Sequence, residues 1–220
     1  MTFLEIAAIS LDDALRAAEG GADSLEVLRD LPAGGLTPPL NLIESILRSV
    51  TIPVNVIVRP TAETFQYTSA QIAQIEQDAR SIAALGVHSI VCAGVNAENR
   101  LDLDLIRRLA ELIAPVPLTV HRALDTSVQP DESLAALVGI VPRVLTSGDA
   151  PTAWEGRQTT RRWVERYGDR IEFVLSGAIT MEQIPELIAH TRAPVIHLGG
   201  AARTSGGVDA AKVRALKRLL

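Results

Sequence analysis

FLEIAAISLDDALRAAEGGADSLEVL, residues 3–28, sets the reading of the whole chain. Phe3 to Ala7 is a short apolar run, Leu11 to Glu19 repeats its apolar residues at helical spacing, and Ser24 to Leu28 is a short apolar run again. Ser10 stands where a helix N-cap accepts from free first-turn amides, with Asp12 and Asp13 near the positive end of the macrodipole. Gly20-Gly21 closes the helix as C′ glycines do. Strand, helix and strand in this order form a βαβ unit. Its continuous apolar strands are of the kind buried on both faces of a parallel sheet.

The unit recurs along the chain. Val54 to Val58, Ser89 to Ala93, Leu118 to His121, Arg143 to Thr146, Glu172 to Ser176 and Val195 to Leu198 complete eight expected strands. Leu40 to Ser49, Ala70 to Leu85, Leu103 to Ile113, Ser133 to Val138, Thr152 to Tyr167, Met181 to His190 and Asp209 to Leu219 complete eight expected helices. Spread over 220 residues, each repeat has room for one strand, one helix and two short loops. The expectation is a single domain, residues 1–220, folded as a closed (β/α)8 TIM-type barrel. A doubly wound open sheet is the alternative, and the lack of Gly-x-Gly-x-x-Gly after the first strand weighs against it.

Composition narrows the classes of function. With 47% hydrophobic residues and a mean hydropathy of +0.21, the chain can bury one large core. A net charge of -5 and no basic run longer than a pair such as Arg107-Arg108 argue against nucleic acid as a partner. The single cysteine, Cys92, excludes an internal disulfide and a cysteine-based zinc site. A first strand beginning beside Met1 leaves no space for a leader, and no apolar stretch approaches the ~20 residues of a membrane span. A cytoplasmic protein is expected.

Strand parity places the polar residues. Leu4 and Ile6 oppose Glu5, Leu25 and Val27 oppose Glu26, and Val54, Val56 and Val58 oppose Asn55, Ile57 and Arg59. Leu118 and Val120 oppose His121, and Ile196 and Leu198 oppose His197. If the apolar sets face the helices, Glu5, Glu26, Arg59, His121 and His197 point inward near the downstream strand ends, where barrel enzymes carry their sites.

Leu4-Glu5-Ile6, Gly21-Ala22-Asp23 with Leu25-Glu26, Gly34-Gly35-Leu36-Thr37-Pro38, Ile52-Pro53-Val54 with Arg59-Pro60, His121-Arg122-Ala123-Leu124-Asp125 and Arg143-Val144-Leu145-Thr146-Ser147-Gly148 follow one another in a familiar order and spacing. Together they resemble the CutC family of copper homeostasis proteins, densely from Phe3 to about Gly148 and more thinly beyond. The resemblance implies a TIM-type barrel, a role in copper handling and copper ion binding. Relatives that look like copper binders carry cysteines just after the first- and second-strand Glu; this chain has Ala7, Ala8 and Leu28 there. Cu(I) prefers thiolate and thioether donors. That leaves Cys92, His121 and His197 as candidates and no assigned metal ligand set.

The residues support two other readings. One is a lyase or isomerase working without a cofactor on a small anionic, phosphorylated substrate. In it His121 is acid/base, Glu5, Glu26 and Asp125 are catalytic partners, and Asp125 orients His121 or a substrate. Arg59, Arg122, Ser147, Ser176, Gly177, His197, Gly199 and Gly200 then bind substrate, the glycines after the last two strands offering amides to a phosphate. The other is a non-catalytic binding module. Expected partners are a small anionic molecule or a metal ion, with homo-oligomerisation left open. Each residue also has a structural reading: Glu5 and Glu26 pair with Arg59 across strands, His121 is a satisfied core histidine, Arg122 braces its loop through Asp125, and Cys92 is a small buried hydrophobe. Phe65 and Tyr67, in the long loop after the third strand, are expected to cover the mouth.

Overall fold

Ser10 Oγ accepts from the amide of Asp13 at 3.1 Å, and Gly21, at φ 91, closes the helix it starts. In the computed structural model, which describes residues 2–220, this helix, α1 (Leu11–Gly20), joins β1 (Phe3–Ala8) to β2 (Ser24–Val27) as the first of the βα repeats. The strands β3 (Val54–Ile57), β4 (Ser89–Val91), β5 (Leu118–Val120), β6 (Arg143–Thr146), β7 (Glu172–Leu175) and β8 (Val195–Leu198) follow in order. Each pairs in parallel with the next, and β8 pairs with β1, so the eight strands close a barrel. The helices between them are α2 (Leu40–Ser49), α3 (Ser69–Ala83), α4 (Leu103–Ile113), α5 (Ala123–Thr126), α6 (Pro130–Leu137), α7 (Arg157–Tyr167), α8 (Ile184–Thr191) and α9 (Ala210–Lys217). Among the described residues no helix is long and apolar enough to cross a membrane.

The outward strand face is the larger core. Leu4, Ile6, Leu25, Val27, Val54, Val56, Ile90, Leu118, Val120, Val144, Phe173 and Ile196 join helix residues such as Ile43, Ile46, Ile106 and Trp163 in one buried cluster. Burying each such side chain is worth about 1.5–3 kcal/mol relative to exposure. A one-residue slip in any strand would turn that face inward, so the register is strongly specified. Inside the barrel lie two small apolar groups, Ala7 with Leu28, Ile57 and Val91, and Leu145 with Val174 and Val195. The rest of the interior is polar.

Some boundaries differ from expectation for local reasons. A helical turn, α5, follows β5 directly, and α6 starts at Pro130 rather than Ser133, because proline at the first position suits a helix start. α7 starts at Arg157 rather than Thr152: the segment before it packs on the loop after β7, with the Ala153 amide donating to Gly177 O at 2.9 Å. Beyond β8, an antiparallel ribbon of β9 (Arg203–Thr204) and β10 (Gly207–Val208) is drawn toward α1 by Asp13. The Asp13 carboxylate accepts from Arg203 Nη2 at 2.5 Å and from the Val208 amide at 2.8 Å.

Candidate functional site

Glu5 is fully buried inside the barrel and saturated with partners. Its Oε2 accepts from Asn55 Nδ2 at 2.6 Å, Arg143 Nη2 at 2.9 Å and Ser24 Oγ at 3.1 Å, and its Oε1 lies 3.0 Å from His197 Nδ1. Ser89 Oγ, bonded to Asn55 Oδ1 at 2.7 Å, extends this layer to Thr119. Burial alone would raise the Glu5 pKa, but Arg143 and His197 outweigh it and hold the carboxyl down to about 2. Glu5 is a fixed anion with four polar partners, set below the mouth. Neither it nor Glu26 pairs with Arg59; the guanidinium that binds Glu5 is Arg143, whose Nε also donates to Glu172 at 2.7 Å.

Above this layer opens a cavity of about 490 Å³ at the downstream end of the strands. That is a size suited to a small organic molecule. Glu26, Arg59, His121, His197, Arg122, Ser176, Gly177, Gly199 and Gly200 all line it. Asp125 and Ser147 lie behind its wall.

On the floor, His197 bridges two carboxylates. Its Nδ1 meets Glu5, while its Nε2 stands 3.7 Å from Glu26 Oε2, longer than a hydrogen bond. Desolvation opposes charge on this ring, but the charge of Glu26 and the bond to Glu5 raise its pKa. Glu26 is 5% exposed and accepts no hydrogen bond among the described residues; burial, then the charge of Glu5, pushes its pKa up. Both groups are thus shifted upward from their ordinary values.

His121 ends β5 with a different character. Its Nδ1 accepts from the Ala123 amide at 3.2 Å, which assigns the remaining proton to Nε2. That Nε2 is buried with no partner. Burial first, then the charge of Arg59, lowers the ring's pKa to about 3. At neutral pH His121 is therefore an uncharged hydrogen-bond donor. The expected acid/base titration near neutrality does not belong to it, and Asp125 does not orient it. Asp125 instead accepts from Arg122 Nε at 3.1 Å, Ser147 N at 2.8 Å, Asp149 N at 3.2 Å and the Thr146 hydroxyl.

Arg59 also differs from expectation. Its Nη1 donates to Ala33 O at 3.2 Å and reaches Gly35 O at 3.4 Å, its Nη2 donates to Ala62 O at 3.0 Å, and its guanidinium stacks on Phe65 at 4.5 Å. Its donors are largely spent on loop carbonyls, so it braces the rim. Phe65 in turn lies 4.9 Å from the His121 ring and lines the cavity, whereas Tyr67 is packed behind it against the core. The sequence reading gave no site role to Arg143 or Asp13, and placed Asn55 on the inward face without one. Inward parity with Leu145 was the available signal for Arg143, a charge inside an otherwise apolar strand.

A model of the CutC family matches residues 2–202. The chain belongs to the CutC family. A family protein CutC from Histophilus somni is 32% identical over 196 residues, spanning 89% of this chain and 81% of the relative, and one from Mesorhizobium japonicum is 33% identical over 198, spanning 90% and 77%. Among solved structures, a CutC of Streptococcus agalactiae, to which a role in copper homeostasis is attributed, superposes with a TM-score of 0.83 at 25% identity, covering 90% of this chain and 98% of that one. Phosphoribosylanthranilate isomerase of Thermotoga maritima superposes with a TM-score of 0.64 at 16% identity, covering 100% of this chain and 98% of that one, a likeness of fold alone.

The donor set does not fit Cu(I). Cys92 lies in the outer core among helix-facing side chains, and burial pushes its thiol up to about 12. Ala7 and Leu28 pack in an apolar group inside the barrel. Among the described residues neither thiolate nor thioether lines the cavity, and soft metals need one or the other. Glu5, Glu26 and His197 do bring ligand-type atoms within 4.8 Å of one another, but Glu5 Oε2 is taken by Asn55, Arg143 and Ser24 and its Oε1 by His197 itself. The remaining pair is an oxygen and nitrogen donor set.

Proposed function

We propose that this CutC-family barrel serves its family's role in copper homeostasis from the cytoplasm as an acid/base enzyme acting on a small molecule, not by holding Cu(I). The observation that carries the reading is the Glu26–His197 pair on the cavity floor, two buried titratable groups 3.7 Å apart, with His197 anchored from below by Glu5. One of the two ring nitrogens is held by a fixed anion, so the other is presented to the cavity in a set orientation. A lyase or isomerase step beside a carbonyl suits these groups. Glu26 takes the proton from carbon, and the electron pair moves onto the carbonyl oxygen. His197 gives that oxygen a proton from Nε2 and is reprotonated to complete turnover.

The test is proton exchange. A panel of hydroxy- and keto-compounds, with and without a phosphoryl group, is incubated with the protein in D2O and followed by proton NMR. Loss of a C–H signal next to a carbonyl, abolished in Glu26→Gln and in His197→Asn, is the expected result. No exchange in any compound at high protein concentration would overturn the acid/base reading.

A further inference from the structure

The cavity has two unlike ends. Its floor carries Glu26 and the buried Glu5 beneath His197, which repels an anion. Its rim, formed in part by the loops after β7 and β8, carries no carboxylate among its lining residues. Ser176 directly follows β7, is 8% exposed, lines the cavity, and its hydroxyl has no hydrogen-bond partner among the described residues. Facing the cavity with no protein partner, that hydroxyl is free to bond a molecule that enters.

The neighbouring backbone adds to that. Among the described residues the amides of Gly177, Ala178 and Gly199 make no backbone hydrogen bond, and all three residues line the cavity. Gly177 at φ 117 and Ala178 at φ 50 form the kind of turn whose successive N–H groups gather round an anion. A Cβ on Gly177 would stand 2.9 Å from Ser147 Cβ and 3.6 Å from Arg122 Cζ, so the Arg122 guanidinium lies against this turn.

Arg122 is held there by design of its surroundings. Nε donates to Asp125 and Nη2 to Ser147 Oγ at 2.9 Å and Pro151 O at 3.2 Å, leaving Nη1 without an acceptor among the described residues. Asp125, expected beside His121, is thus a positioning residue for Arg122. A guanidinium with its stem fixed and one edge free is arranged for an anionic oxygen.

We infer that the Ser176 hydroxyl, the Gly177, Ala178 and Gly199 amides and Arg122 form a subsite for the phosphoryl group of a phosphate monoester, whose carbon chain then extends toward Glu26 and His197. This rests on the mouth being a small-molecule site and names the class of molecule. A tetrahedral dianion can use amides, a hydroxyl and a guanidinium at once, as phosphate sites after the last strands of barrels do.

The experiment uses the whole chain and inorganic phosphate, read by 31P line broadening and by thermal shift. Saturable binding is expected, weakened about tenfold by Arg122→Gln, the scale of one lost charge-assisted hydrogen bond, and several-fold by Ser176→Ala. Glu26→Gln, at the other end, should bind phosphate at least as well as the parent chain. Ser176→Ala removes one oxygen and keeps the test valid if Arg122→Gln does not fold. No saturable phosphate binding in the parent chain, or binding unchanged in both rim variants, overturns the subsite. Phosphate binding without C–H exchange in any compound leaves the subsite standing and removes the acid/base reading. Exchange confined to unphosphorylated compounds, with no phosphate binding, does the reverse.

Discussion

Glu5 Oε1 lies 3.0 Å from His197 Nδ1, joining the first strand to the last across the closure of the barrel. The same carboxylate holds Arg143, which reaches Glu172, so a line of alternating charges runs from the lower end of the barrel to the cavity floor. Buried charges of this kind are tolerated only when each has its partner.

Glu5→Gln keeps the shape and removes the charge. It should cost about 3 kcal/mol in urea-induced unfolding, because Arg143 is left buried with only half-exposed Glu172. Glu5 contributes stability above its unfolded value of 4.5, lost as pH falls toward about 2. The raised pKa of His197 contributes stability below its unfolded value of 6.5, lost as pH rises through the folded value. The difference between parent and variant should therefore be largest between pH 4.5 and 6.5, and His197 should titrate lower in Glu5→Gln by NMR. A pH-independent difference would show that the two groups are not coupled.

His121 makes the opposite contribution. Buried and neutral, with its pKa lowered from 6.5 to about 3, it binds a proton in the unfolded chain but not in the folded one over that range. Stability should rise with pH between those values with a slope of about 1.4 kcal/mol per pH unit from this residue. His121→Gln should remove that component in denaturation series at pH 5 and 6.5.

Copper binding should be weak. Competition against a Cu(I) chelator should reveal no site tighter than roughly micromolar, since no thiolate reaches the cavity. Cys92→Ser should leave the titration unchanged. Stoichiometric tight binding lost in that variant would instead mean that the outer core opens around the thiol.

Arg59→Met separates a brace from an anion ligand. The carbonyls of Ala33, Gly35 and Ala62 lose their donor, and a stability loss of about 2 kcal/mol is expected. Amide exchange at Gly35 and Leu36, whose N–H groups bond Asp30 O and Arg29 O, should accelerate. Unchanged exchange together with lost phosphate binding would return Arg59 to the substrate role expected from sequence.

Alternation of β and α, and the face each strand presents, were determined by the sequence alone, because a period of two against a period of 3.6 is written in neighbouring residues. That was enough for the closed barrel and for Glu26, His121 and His197 at one mouth. The family motifs were legible for the same local reason. Partner choice was not. Glu5 joins residues 50, 138 and 192 positions away, and nothing in its neighbourhood distinguishes Arg143 from Arg59 as its counter-ion. Parity alone put Glu5 at the mouth, whereas barrel closure set it one layer below and gave its place on the floor to His197. Likewise the step from β5 to α5 decided that Asp125 turns away from His121 and holds Arg122. Protonation followed from these placements, since desolvation and charge partners exist only once distant strands meet.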